Sequence, residues 1–162
     1  MNPRPKPTGR PRTGARVAAV QALFQSEQTG ETAETVAHQF IRHRIGAGAG
    51  VEAFEDGQVP LAHIPLFEAI LKAAATRSEA ADAEIRARLS KDWTLERLDP
   101  VLRALLRAAA AELLESRDPP ARVVINEYLD IARGFLDEET SRFANGVLDA
   151  MAHALRPGEF GR

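Results

Sequence analysis

The chain has 162 residues, 44% hydrophobic and 27% charged, a globular balance far from that of disordered proteins and long enough to bury roughly two-thirds of its unfolded surface in a single domain. It has no cysteine, which excludes disulfide scaffolds, thiol catalysis and thiolate metal centres and fits a reducing compartment, with cytoplasm the default; no stretch approaches the about 18 apolar residues of a membrane span, and no apolar segment follows the N-terminal charges, so neither secretion nor a membrane role is expected. The net charge of −2 hides an asymmetry: residues 1–16 carry Arg4, Lys6, Arg10, Arg12 and Arg16 and no acid, whereas the remainder holds 16 basic against 23 acidic side chains.

Four of the ten prolines lie within the first eleven residues, so residues 1–12 are expected to form a basic, extended arm with polyproline character. From there the composition favours helix. Alanine occurs 29 times against nine valines, seven isoleucines and eight threonines, and alanine is the best helix former while β-branched residues prefer strands. The first helix is predicted from Thr13, which can cap it, with Val17, Val20, Leu23 and Phe24 as its apolar stripe and Arg12 and Arg16 pointing away from that stripe. Gly30 ends it. A second helix follows, with Val36, Phe40, Ile41 and Ile45 inward and His38 and His43 on the solvent side.

Residues 46–60 hold four glycines, a proline and three acids, the composition of a flexible insertion. Pro65 then suits the first position of an unusually long helix running through Leu66, Phe67, Ile70, Leu71, Ala74, Ala81, Ile85 and Leu89. Trp93 and a turn lead to Asp99-Pro100, a cap followed by proline at the first helical position, and Val101, Leu102, Leu105, Leu106, Ala109 and Leu113 mark a deeply buried helix. Asp118-Pro119-Pro120 must break it. A further helix carries Val124, Tyr128, Ile131 and Phe135 and closes at Gly134; the last is capped by Asp137, carries Phe143, Val147, Leu148, Met151 and Leu155, and stops at Arg156-Pro157, leaving residues 158–162 as a frayed tail. About seven helices and no strand signal leave helix-on-helix packing as the available architecture, an all-α bundle over residues 13–157.

The pattern holds little that resembles catalytic or metal chemistry. The histidines, at positions 38, 43, 63 and 153, include no i,i+4 pair of the kind that puts two imidazoles on one helical face, so no metal site is expected. There is no nucleophile elbow, phosphate loop or dinucleotide fingerprint, so neither enzyme nor cofactor is expected; GAGAG at 46–50 follows a helix and leads into an acidic loop, where a phosphate cradle needs amides aimed from a helix N-terminus. Glu138 and Glu139 answer to the macrodipole of the helix they begin. The positive signal is the basic arm, whose arginine forks match phosphates; a solubilising tail explains the charge alone, but Arg12 and Arg16 carry it into the first helix. Arg133 and Arg142 form a smaller basic set, with Glu139 placed three residues before Arg142 for an intrahelical pair. Asn145-Gly146 inside a helix costs about 1 kcal/mol for the glycine, which points to close helix–helix approach there, with nucleic-acid contact as the second explanation.

Two blocks, RTGARVAAVQALFQSEQTG and LDPVLRALLRAAAAELLESRDPPARVVINEYLDIARGFLDEETSRFANGVLDAMAHALRP, together about half of the chain, resemble the bacterial transcription antitermination factor family NusB; the specific signature is the proline turn followed by VINEYLDIAR and SRFANGVLD. The resemblance implies an all-α fold of two packed three-helix sub-bundles. It also implies a non-enzymatic RNA-binding adaptor that recognises the boxA element of ribosomal RNA leader transcripts with ribosomal protein NusE, within an antitermination complex on RNA polymerase. Residue by residue, it places RNA contacts at Arg10, Arg12 and Arg16 with Lys6 beside them, and at Arg133, Arg142 and Asn145. It makes Glu139 an acid that restrains RNA affinity, and it puts Phe24, Leu102 and Arg103 on the face offered to NusE. Leu102 stands where relatives can have an acid, so an ion pair at that interface is missing from the pattern; residues 1–11 and 46–60 go beyond it.

With aromatic residues only 6% of the chain, modest and largely electrostatic RNA affinity is expected, with the partner adding specificity. Two rivals stand beside this reading. One is the NusB-like domain fused to ribosomal RNA cytosine methyltransferases, which would require a cofactor-binding α/β domain downstream. The other is a helical protein-interaction module, or a homodimer hiding the RNA surface, without direct RNA binding.

Overall fold

A computed structural model describes residues 11–45, 62–115 and 117–160. Among them are seven α-helices and no strand: α1 (Pro11–Thr29), α2 (Ala33–His43), α3 (Ile64–Thr76), α4 (Ser78–Arg86), α5 (Pro100–Glu115), α6 (Ala121–Phe135) and α7 (Glu138–Leu155), with short 3-10 turns at Leu95–Arg97 and Pro157–Glu159. The fold is all-α. Residues 1–10 and 46–61, which include Lys6, Arg10 and the insertion, lie outside the described residues. The chain divides into two compact units, 1–72 and 73–162, with the division falling inside α3.

In the first unit α1 begins at Pro11, two residues earlier than Thr13, because proline carries no N–H to lose and its fixed φ already suits a first turn. The fully buried face of α1 is lined by Ala15, Ala18, Ala19 and Ala22 together with Val20, while Val17, Leu23 and Phe24 are only half-buried. Size misleads here: alanines at i, i+3, i+4 and i+7 let a neighbouring helix come close, and the bulky stripe is the outer one. Arg16 lies on that inner side, three and four residues before Ala19 and Val20, and is only 2% exposed. The expected outward orientation of Arg16 is therefore wrong; its guanidinium is engaged inside the fold. Gly30 takes φ +81, the left-handed conformation that ends α1, and its N–H reaches Ser26 O at 2.9 Å. Thr32 caps α2, which packs on α1 and buries Val36 and Phe40; the Phe40 ring stacks 5.9 Å from Phe67 of α3. His63, expected in a loop, accepts the Leu66 N–H on Nδ1 at 3.2 Å and so caps α3.

In the second unit the predicted long helix is broken. Arg77, at φ −116 and ψ 27, separates α3 from α4, and α4 ends at Arg86 rather than Leu89. A single residue out of helical geometry leaves the apolar positions nearly in phase on both sides, so periodicity does not reveal it. Asp99 caps α5 as expected, its Oδ1 accepting the N–H groups of Val101 (2.8 Å) and Leu102 (3.2 Å). α5 is the hub, buried along most of its length and packed against α4, α6 and α7. It carries a buried polar pair, Tyr128 donating to Glu112 Oε2 at 2.6 Å, and a forked pair in which Arg107 donates to Asp82 of α4 at 2.9 and 3.1 Å.

The end of the chain differs from the expected frayed tail over residues 158–160. Arg156 is 2% exposed and donates to the carbonyls of Glu112 and Leu113, acceptors that the C-terminus of α5 leaves unpaired, and to that of Pro119 in the following loop. Glu159 then accepts the Ala121 N–H at 2.7 Å at the start of α6, and Phe160 stacks on His153. Gly134 does not close α6 but lies within it, and Phe135, expected in the core stripe, is 47% exposed.

Candidate nucleic-acid and partner interfaces

α6 and α7 are joined by two residues, Leu136 and Asp137. Asp137 fixes the start of α7 by accepting the Thr140 N–H at 2.7 Å, and hydrogen bonds from Thr140, side chain first and backbone second, hold its carboxyl below the usual carboxylate range. The tight corner brings one face of α6, Leu129 and Arg133, against one face of α7, Glu138, Ser141, Arg142 and Asn145, around a recess of about 360 Å³. Three residues expected at an RNA surface, Arg133, Arg142 and Asn145, thus converge on one concavity.

Both guanidinium groups there are lightly held. Arg133 lies 3.5 Å from Asp130 and Arg142 3.5 Å from Glu138, with the four side chains 64–90% exposed. Exposed pairs of this kind contribute about 0.2–1 kcal/mol, less than a charge-assisted contact to phosphate, so either cation can exchange its carboxylate for a nucleic-acid backbone. The intrahelical partner of Arg142 is Glu138, one full turn away, and not Glu139 as expected. Ser141 is buried in the recess wall, and its Oγ has no hydrogen-bond partner among the described residues. The apolar part of the recess wall comes from Leu129 and Leu136, which stand at i−4 and i+3 from Arg133 and could have been found from that spacing.

Glu139 faces a second recess, of about 370 Å³, that it shares with Trp93, Leu98, Asp99, Leu102, Thr140 and Phe143. It is exposed and makes no hydrogen bond or ion pair within the described residues. Leu102, expected on the partner face, forms part of this recess although it is only 3% exposed. Arg103 does not belong to the surface: it is 8% exposed, and its Nη1 donates to the carbonyls of Leu95 (3.1 Å), Glu96 (3.2 Å) and Leu98 (2.9 Å), which ties the 3-10 turn to α5. Trp93, 47% exposed at the edge of this recess, is not among the residues expected at a site; a lone tryptophan among Lys91, Asp92, Glu96 and Arg97 is the sequence signal that points to it.

The remaining expectations divide. Arg12 is exposed at the start of α1 and Phe24 is half-buried, whereas Arg16 is withdrawn from solvent. Asn145 and Gly146 are both exposed, and a Cβ built on Gly146 would meet nothing within 4 Å, so the close helix–helix approach expected there is absent. Among the described residues no cluster of His, Asp and Glu could hold a metal ion, and no helix is long and apolar enough to cross a membrane.

Comparison with known proteins gives a consistent answer. The NusB family model matches residues 13–153. Transcription antitermination protein NusB of Granulibacter bethesdensis is 56% identical over 151 residues, 93% of each chain. Among solved structures, T. maritima NusB superposes with a TM-score of 0.72 at 30% identity, covering 93% of this chain and 96% of that one. A NusB described in a crystal structure of the antitermination factors NusB and NusE in complex with dsRNA gives 0.68 at 26% identity, over 90% and 98%. A helical chain matched by the family model over residues 13–153 and 56% identical to a relative over 93% of each chain belongs to the NusB family of transcription antitermination proteins, which are not enzymes.

Proposed function

We propose that this chain is an RNA-binding adaptor that takes the boxA element of ribosomal RNA leader transcripts together with NusE and contributes to an antitermination complex on RNA polymerase, in the cytoplasm. The observation that carries this reading is the meeting of Arg133, Arg142 and Asn145 at one recess with both guanidinium groups exposed and only weakly paired. Arg12, with Lys6 and Arg10 preceding it in the sequence, supplies a second cationic set; Arg16 is no longer part of it. Glu139 keeps its assigned restraint on RNA affinity as a negative charge in the same helical turn as Glu138.

With about five cations on phosphates, the logarithm of RNA affinity should fall against the logarithm of salt with a slope of roughly −3.5. The test is a titration of fluorescent single-stranded boxA RNA, with a duplex as comparison, against the wild-type chain, Arg133→Ala/Arg142→Ala, Arg12→Ala and a deletion of residues 1–11, each with and without NusE. The double variant should bind several-fold more weakly with a shallower slope. Equal binding by all four proteins refutes the site. A persistent dimer that never shifts with RNA on sizing favours the interaction-module reading.

A further inference from the structure

The recess bearing Trp93 is physically unlike the arginine recess. Its floor is apolar, made by Leu98, Leu102 and Phe143; its rim carries the carboxylates of Asp99 and Glu139, and among the described residues no cationic side chain lines it. Such a rim repels phosphate, so RNA is a poor occupant. One Asp99 oxygen is used in capping α5, so Glu139, exposed and without a bond inside the described fold, is the more available of the two carboxylates. Trp93 stands 47% exposed at the edge, and the guanidinium of Arg97 lies 5.7 Å from its ring centroid. That contact holds a rotamer-poor aromatic in place before any partner arrives, which is the character of an interface anchor.

We infer that this recess takes a long cationic side chain, lysine or arginine, from the protein partner, its aliphatic stem lying on Trp93, Leu102 and Phe143 and its charge on Glu139. The occupant follows from chemistry on both counts: an apolar floor rimmed by the carboxylates of Asp99 and Glu139 fits neither a purely apolar residue nor an anion. The inference rests on the proposed pairing with NusE and adds to it the chemistry of one contact and the role of Trp93 as its anchor.

Trp93 is the only tryptophan in the chain, so its emission reports directly on the recess. NusE titrated into the full chain, with the emission of NusE subtracted, should shift the Trp93 band to the blue and protect it from acrylamide quenching, and boxA RNA without NusE should do neither. Trp93→Ala should weaken NusE binding by about tenfold or more, as truncation of a central interface aromatic does, with partial recovery in Trp93→Phe. Glu139→Gln should weaken it by about two- to fivefold and flatten its salt dependence. Thermal melts of each variant confirm folding. If NusE binds the wild type with Trp93 emission unchanged, and Trp93→Ala binds equally well, the recess inference fails while the adaptor reading stands. A shift caused by RNA alone also overturns it. If neither NusE nor RNA binds the wild type, the adaptor reading fails as well.

Discussion

Gly146 gives the sharpest test of how the surface of α7 has been shaped. It is the ninth of 18 residues in that helix, where no end effect softens the conformational penalty of glycine. A methyl group at this position would meet nothing within 4 Å, so Gly146→Ala neither clashes nor fills a gap, and only the helix-propensity difference remains. That difference is about 1 kcal/mol in favour of alanine, partly because the unfolded chain has fewer conformations to lose. For a chain of this size it corresponds to a rise in Tm of roughly 2–4 °C. Circular dichroism melts and urea titrations would read it, the latter as a higher midpoint with an unchanged slope. A lower Tm would show that the space beside Gly146 is not open. Gly134, the penultimate residue of α6, offers the contrast: Gly134→Ala should gain less, because penalties fade at helix ends. If Gly146 is kept so that an RNA backbone can approach beside Asn145, the same methyl that stabilises the protein should weaken boxA binding, and a stabilised variant with unchanged RNA affinity would remove that explanation.

Three further outcomes follow from the fold. Tyr128→Phe deletes the donor to the buried Glu112 carboxylate and should cost about 1.5–3 kcal/mol, seen as a Tm lower by several degrees; an unchanged Tm would mean that the 2.6 Å contact contributes nothing net. Arg103→Ala removes the donor shared by three backbone carbonyls and should lower stability, while the affinity of the folded fraction for NusE, measured by calorimetry well below the variant's Tm, should stay near wild type; a selective loss of NusE binding would return Arg103 to the interface. For Asp137 the folded carboxyl titrates below its unfolded value, so its contribution is complete above the ordinary carboxylate range of about 4 and is lost as pH falls through the lowered folded value. Asp137→Asn keeps a capping oxygen but not the charge, and should flatten the acid side of the Tm-against-pH curve.

The helices were legible because their signals are local. Asp99-Pro100, Asp137 and Gly30 each act through their own backbone neighbourhood, and the structure places each at the expected terminus. What escaped was information that depends on which side of a helix meets a neighbour. On α1 the largest apolar residues pointed to one face, yet the tightest packing uses Ala15, Ala18, Ala19 and Ala22, and Arg16 follows that face inward. The same dependence runs through the candidate sites. Arg103 and Arg133 are indistinguishable as letters in helical sequence; one is consumed by the carbonyls of a turn 5–8 residues earlier, and the other is left at a corner between two helices. Glu138 and Glu139 are adjacent acids in one helical turn, but the roughly 100° between consecutive helical positions sends one to the arginine recess and the other to the tryptophan recess. Opposite electrostatic duties are thereby assigned to neighbours in sequence: Glu138 shields cations that a phosphate can reclaim, and Glu139 presents a charge that a protein cation can claim. Glu139→Gln should weaken NusE binding and, by removing the negative charge that restrains RNA, also raise boxA affinity, whereas Glu138→Gln should raise boxA affinity with NusE binding unchanged. A loss of NusE binding in Glu138→Gln equal to that in Glu139→Gln would mean that the two recesses act as one electrostatic surface.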